Sequence, residues 1–361
     1  MGHKIYNRDI LCPDRGEFME NIVFMIEKLI PDQMEVFARR YKVLKTINIF
    51  QPVGRRTIAS YLDITERTVR GDIEKLAEKG LVTVSKVGIN ITENGIEIIN
   101  GLEDTVKEYN GLSVLEKKVE NILGIKKVHI VQGNYDENPG VKIEIGRVAG
   151  KVLMTVVNEE SIIAVTGGTT VAAIVDGISE YATKKAGMVV PARGSVGRII
   201  ELQSDTLAAR LAEKLSAGYR LLNIPDTMSS RALNEVMNEP SIKKTMSSMN
   251  KADILVFGLG EALEMAKKRR VSDDVYEKLV EKKAVAEAFG YYFNGQGDVV
   301  YESNSAGLSF DDLCRIPFIL AAAGGKKKAQ GIVAVCKNLP DMTIVIDEGA
   351  AKGILELKEI K

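Results

Sequence analysis

Ile162-Ile163-Ala164-Val165 is apolar at every position, which a strand with one wet face cannot be. Side chains of a strand alternate between its two faces, so a continuously apolar run needs cover on both. Residues 128–131, 188–190, 219–222, 254–258, 332–336 and 343–346 read as further strands, with helical periods between them. Alternation of this kind predicts a parallel sheet covered by helices on both faces, and places an α/β domain at residues 110–361.

The first 109 residues follow a different pattern. Residues 17–29 carry apolar side chains at helical spacing until Pro31, and a second helical period runs over 32–50 until Pro52-Val53-Gly54 breaks it. Two shorter helices are expected at 56–62 and 66–79, joined by Asp63-Ile64-Thr65 and closed by Gly80. Residues 81–86 and 89–92 read as a hairpin around Val87-Gly88, and a helix from about Thr92 to Tyr109 completes the segment before Asn110-Gly111. Helix, short turn, helix, hairpin is the order of a winged helix-turn-helix.

In the second short helix Val69, Ile73 and Leu76 share one face and are expected to pack inward. Thr65 is placed to cap that helix, while Arg67, Thr68 and Arg70 lie near its start on the outer side. Between Arg40 and Asn90 there are ten basic and five acidic residues, in a chain that holds 49 of each overall. A local surplus of this kind suits phosphate contacts, which dominate affinity for DNA. Arg67 and Arg70 are placed for guanine edges in the major groove, and Arg55, Arg56 and Lys86 for phosphates. A basic helix face alone is usually only solvated; the ordered set of break, capped turn, basic helix and wing argues for DNA.

Behind residues 162–165 stands Thr166-Gly167-Gly168-Thr169-Thr170, then a helix expected over 171–181. Two glycines allow close backbone approach, and the helix start offers free N–H groups to an anion. No Lys follows the glycines, so this is not a Walker loop, and the dinucleotide fingerprint is missing too. Arg193 leaves the C-terminal end of a strand, the side on which open sheets bind ligands. Gln203 precedes a helix at 206–215, the run Lys267-Lys268-Arg269-Arg270 follows Gly258-Leu259-Gly260, and Glu287 offers a carboxylate to sugar hydroxyls. Ala323-Gly324-Gly325-Lys326-Lys327-Lys328 reads as the end of an apolar helix.

The rest of the composition narrows the class of protein. Three scattered cysteines, Cys12, Cys314 and Cys336, argue against a disulfide framework or a four-cysteine zinc site and suit a reducing compartment. Only His3 and His129 are present, and His129 lies in a strand-like run where a structural role is expected. The first ten residues lack the apolar run of a signal peptide, and no segment is long and apolar enough to span a bilayer. The expectation is a cytoplasmic protein without metal or cofactor.

Several blocks together resemble the SorC family of bacterial sugar-responsive regulators. They are Gln51-Pro52-Val53-Gly54-Arg55-Arg56 and residues 62–70 in the first domain. In the second they are Gly167-Gly168-Thr169-Thr170, Pro191-Ala192-Arg193-Gly194, Gly258-Leu259-Gly260, Glu287-Ala288-Phe289-Gly290 and Ala323-Gly324-Gly325. The resemblance covers nearly the whole chain. It implies a Rossmann-like effector domain folded like sugar-phosphate isomerases and deaminases but without catalysis. It also implies a homo-oligomer, dimeric or tetrameric, that binds operator DNA. The glycolytic branch of the family implies repression of an operon of triose-phosphate enzymes, with fructose 1,6-bisphosphate as inducer. Carried over by motif, Gly168, Thr169, Thr170, Arg193, Gln203 and Glu287 bind the effector. A lysine of the 326–328 block, Lys328 preferred, and an arginine of the 267–270 run, Arg269 preferred, join them. The alternative is an isomerase or deaminase on the same fold; against it, Gly258-Leu259-Gly260 is followed by Glu261-Ala262-Leu263-Glu264, with no Asp-Gly-His.

Overall fold

The computed structural model describes residues 15–178, 185–194, 199–224, 230–303 and 306–359. His3 and Cys12 lie outside them. The chain divides into two compact units between Val114 and Leu115.

Unit 1 holds α1 (Arg15–Leu29), α2 (Pro31–Phe50), α3 (Arg55–Leu62), α4 (Glu66–Glu78), β1 (Val82–Val84), β2 (Ile89–Ile91) and α5 (Glu93–Tyr109). Pro31 both ends α1 and opens α2, because a first-turn residue has no N–H to lose. Asp63 takes a left-handed φ of 52° to end α3. The Thr65 side chain accepts the Thr68 N–H at 3.2 Å to start α4, and Thr92 does the same for Gly95 at 3.1 Å in α5. Val43, Ile47, Ile58 and Val69 are fully buried in one core, and each such side chain stabilises the fold by roughly 1.5–3 kcal/mol. β1 and β2 pair antiparallel, and Val53 adds a bridge to Ile89, so the wing has three short rungs of backbone. Ser85 ties the turn, accepting N–H groups of Val87 and Gly88.

Unit 2 is built on seven strands in the order β3-β13-β12-β7-β4-β5-β6, every pair parallel. They are β3 (Lys127–Val131), β4 (Ile162–Val165), β5 (Met188–Pro191), β6 (Gly218–Tyr219), β7 (Ile254–Gly258), β12 (Phe318–Ala323) and β13 (Thr343–Asp347). Helices cover the sheet, and Ile163, Val165, Ile174 and Leu207 sit fully buried in the core between. Beyond β7 a smaller antiparallel sheet inserts, ordered β11-β10-β9-β8: β8 (Gly260–Glu261), β9 (Ala284–Ala288), β10 (Tyr291–Asn294) and β11 (Val299–Glu302). No helix among the described residues is long and apolar enough to cross a membrane.

Four expectations differ from the structure. Phe318–Ala323 is a central strand, not the end of an apolar helix, and residues 332–336 belong to the helix Ala329–Cys336, not a strand. Both segments are apolar nearly all round, so periodicity carries no information. Alanine then suggests helix and β-branched residues suggest strand, and burial overrides both. The strand expected at 219–222 stops after Tyr219, because the buried Asp205 carboxylate accepts the N–H groups of Leu222 and Asn223 at 2.7 and 3.1 Å. The helix expected over 171–181 starts at Thr169 and ends at Gly177; residues 179–181 lie outside the described residues.

Candidate functional site

β4 and β7 are neighbours, yet β4 continues toward β5 and β6 while β7 continues toward β12 and β13. A crevice opens beyond the C-terminal ends of strands at such a reversal. Here it is a cavity of about 440 Å³. Its walls come from the residues after β4 (Thr166–Thr170), β5 (Arg193, Gly194), β7 (Gly258–Gly260) and β12 (Gly324, Lys328), with Glu287 and Phe289 from the antiparallel sheet. Gly168 takes φ 116° as it turns from β4 into the helix Thr169–Gly177, a conformation open to glycine at little strain. The first N–H groups of that helix and its positive dipole end therefore open on the cavity.

Five cations and two carboxylates line the space. Lys142 donates to the Thr169 hydroxyl at 3.3 Å and stands 4.7 Å above the centre of the Tyr135 ring. Lys328 donates to the Leu259 carbonyl at 3.0 Å, and burial pulls its pKa below the ordinary lysine value. Glu287, 3% exposed, accepts from Arg269 at 2.7 Å and from the Gly290 N–H at 2.6 Å, with Arg193 3.9 Å away. Arg193 also donates to Ser303 at 3.0 Å. At Gly290, φ 90°, an added Cβ would stand 1.7 Å from the Arg193 guanidinium, so the turn after β9 lies directly on that arginine. Lys268 and Glu264 pair at 2.6 Å at the more exposed side.

The expected residues Gly168, Thr169, Thr170, Arg193, Arg269, Glu287 and Lys328 all line this one cavity. Gln203 does not; it sits just before the helix Ser204–Lys214, and its neighbour Leu202 lines the wall instead. Within the lysine block Lys326 pairs with Glu356 at 2.8 Å, leaving Lys328 as the one that lines the wall. Arg270 ends the helix Ala262–Arg269 with a left-handed φ of 52° and is not part of the cavity wall. Tyr135, Lys142 and Glu264 were not anticipated. The signal for Lys142 was its place just inside a helix that follows a strand, on the ligand side of the sheet.

In unit 1, Arg67 and Arg70 are exposed on α4, opposite the buried Val69, Ile73 and Leu76. Arg70 pairs with Glu74 at 3.0 Å, and Arg56 with Glu66 at 3.4 Å. Arg55 is exposed at the start of α3, and Lys86 at the tip of the wing. Thr65 and Thr68 share a 2.8 Å hydroxyl contact at the start of α4. Asp72 is turned inward and holds Arg39 at 2.7 and 3.0 Å and Arg40 at 3.1 Å, so both arginines are paired to α4.

Two family models account for most of the chain. Residues 36–106 match the one described as "CggR N-terminal DNA binding domain", and residues 107–356 match "Putative sugar-binding domain". The chain belongs to the SorC family of transcriptional regulators. It is 39% identical to the central glycolytic genes regulator of Bacillus subtilis (strain 168), over 93% of this chain and 99% of that one. A SorC family regulator of Enterococcus faecalis is 37% identical and superposes with a TM-score of 0.63, covering 67% of this chain and 99% of that one. The full-length sorbitol operon regulator of Klebsiella pneumoniae shares the fold at 16% identity, with a TM-score of 0.63 over 84% of this chain and 94% of that one. This is a transcriptional regulator with a DNA-binding and a sugar-binding domain, not an enzyme.

Proposed function

We propose that the protein represses genes of glycolysis in the cytoplasm and leaves its operator when the cavity takes up a phosphorylated sugar, fructose 1,6-bisphosphate by preference. The observation that carries this reading is the cavity lining: one helix N-terminus and five cations around a single space. Such a lining suits an anion with more than one charged group. Gly168, Thr169 and Thr170 receive one phosphate on backbone N–H and hydroxyl groups. Arg193, Arg269 and Lys328 meet the rest of the negative charge, with Lys142 beside them, and Glu287 accepts sugar hydroxyls. Gln203, outside the cavity, is left out of the set.

On the DNA side, Arg67 and Arg70 read base edges, Thr65 and Thr68 stand at the start of α4 near the backbone, and Arg55, Arg56 and Lys86 hold phosphates. A homo-oligomer, dimeric or tetrameric, presents paired recognition helices to successive half-sites. The effector lowers operator affinity by binding the DNA-free arrangement more tightly. Support for the glycolytic assignment comes from the Bacillus subtilis relative's name and its coverage of both domains. A thermal-shift panel tests the ligand: fructose 1,6-bisphosphate should raise the melting temperature most, phosphorylated monosaccharides less, and fructose not at all. A panel in which no phosphosugar shifts the transition would refute the reading.

A further inference from the structure

Asp347 is the last residue of β13 and has no exposed surface. A carboxylate so placed requires donors, and it has three backbone N–H groups. One oxygen accepts from Ala350 at 2.8 Å, in the first turn of the helix Glu348–Glu359. The other accepts from Tyr135 at 2.6 Å and from Gly325 at 2.8 Å. Those two N–H groups belong to different loops, one after β3 and one after β12, and both loops lead into the cavity. Tyr135 lines it directly. From Gly325 a single tight turn, Lys326–Lys328, brings Lys328 to the wall, with the Lys328 N–H donating to the Gly325 carbonyl at 3.1 Å. The exposed Asp136 braces the same turn by accepting the Lys327 N–H at 3.1 Å.

We propose that Asp347 is a positioning residue for the effector cavity, clamping the Tyr135 loop to the Gly325–Lys328 turn and so fixing where the Lys328 ammonium stands. This rests on reading the cavity as a phosphosugar site. Asparagine has the same shape but only one acceptor oxygen, so its NH2 must face either the Ala350 donor or the Tyr135 and Gly325 pair. With its oxygen toward Tyr135 and Gly325 the amide keeps both bonds but without the carboxylate's charge, and turned the other way it loses both. Asp347 also lies close enough to favour the charged form of Lys328, which opposes the effect of burial.

The test is calorimetric titration of the full chain with fructose 1,6-bisphosphate, in D347N, K328A, T170A and the pairs D347N/K328A and D347N/T170A. D347N should weaken binding about tenfold, the scale of losing a charge-assisted hydrogen bond. If Asp347 acts through Lys328, D347N/K328A binds no worse than K328A alone, whereas D347N and T170A multiply, because Thr170 belongs to another wall. Operator binding without sugar should match wild type and so report an intact fold. Should D347N fail to fold, D136A serves instead. It should weaken binding by about threefold, with the same dependence on Lys328. Wild-type affinity in both D347N and D136A, or losses that multiply with K328A, would overturn the inference. A wild-type chain that binds no phosphosugar would refute the cavity's reading, and this inference with it.

Discussion

Lys328 carries its ammonium into a wall where water is scarce, and burial pulls its pKa down from the ordinary 10.5. In the free protein the folded state then holds this proton less tightly than the unfolded chain. Stability should rise with pH between the lowered value and 10.5. A bound phosphate pulls the other way, because an anion favours the charged lysine. Near and above the lowered pKa, binding should therefore take up a proton, and affinity should fall as pH climbs through that value. Calorimetry in buffers of different ionisation enthalpy reads this directly, and K328M should abolish the uptake. Glu287 is the carboxylate buried beside Arg193 and Arg269. Glu287→Ala removes the carboxylate buried against two arginines and should cost about 3–5 kcal/mol in urea unfolding; a loss within error of zero would contradict the buried pairing. At this scale the sequence supplied residue types, not directions. Three consecutive lysines are equivalent on paper, and only a tight turn of three residues sends Lys326 to Glu356 and Lys328 to the cavity.

The winged unit shows what makes an element legible. Each of its short helices has its own apolar face and its own cap, so α3, α4 and the hairpin lie within a residue or two of where the pattern puts them, apart from the shorter first strand. Thr65→Ala should cost about 1 kcal/mol of unfolding stability by freeing the Thr68 N–H. The inner side of α4 held a surprise in Asp72, a charge on a face expected to be apolar. It ties α4 to α2 through Arg39 and Arg40. D72N should lower stability by about 2 kcal/mol, discounted because both arginines are a third exposed or more. It should also weaken operator binding by loosening the recognition helix. Undiminished operator binding in a folded D72N protein would count against the clamp. Segments without a polar face were the unreadable ones. Phe318–Ala323 and Ala329–Cys336 exchanged strand and helix for that reason, and the antiparallel sheet β8–β11 is illegible where β9, Ala284–Ala288, carries alanines in place of β-branched residues.

Across the whole molecule, equal numbers of acidic and basic residues conceal an uneven distribution, with ten basic against five acidic residues between Arg40 and Asn90 and five cations gathered at one crevice of the sugar-binding unit. Affinity for DNA should fall steeply with salt, and Arg55→Ala should flatten the slope by about one unit. Arg67→Ala should instead relax the choice of base at one position. The central claim is that occupancy of the crevice governs the grip on DNA, and it is tested most directly by fluorescence anisotropy. The measurement titrates the full chain onto a duplex it selects from a randomised pool, with and without fructose 1,6-bisphosphate. The account predicts that the sugar weakens wild-type operator binding about tenfold or more, that fructose does nothing, and that T170A needs more sugar for the same effect. Operator affinity that stays constant while calorimetry shows the sugar bound would contradict it.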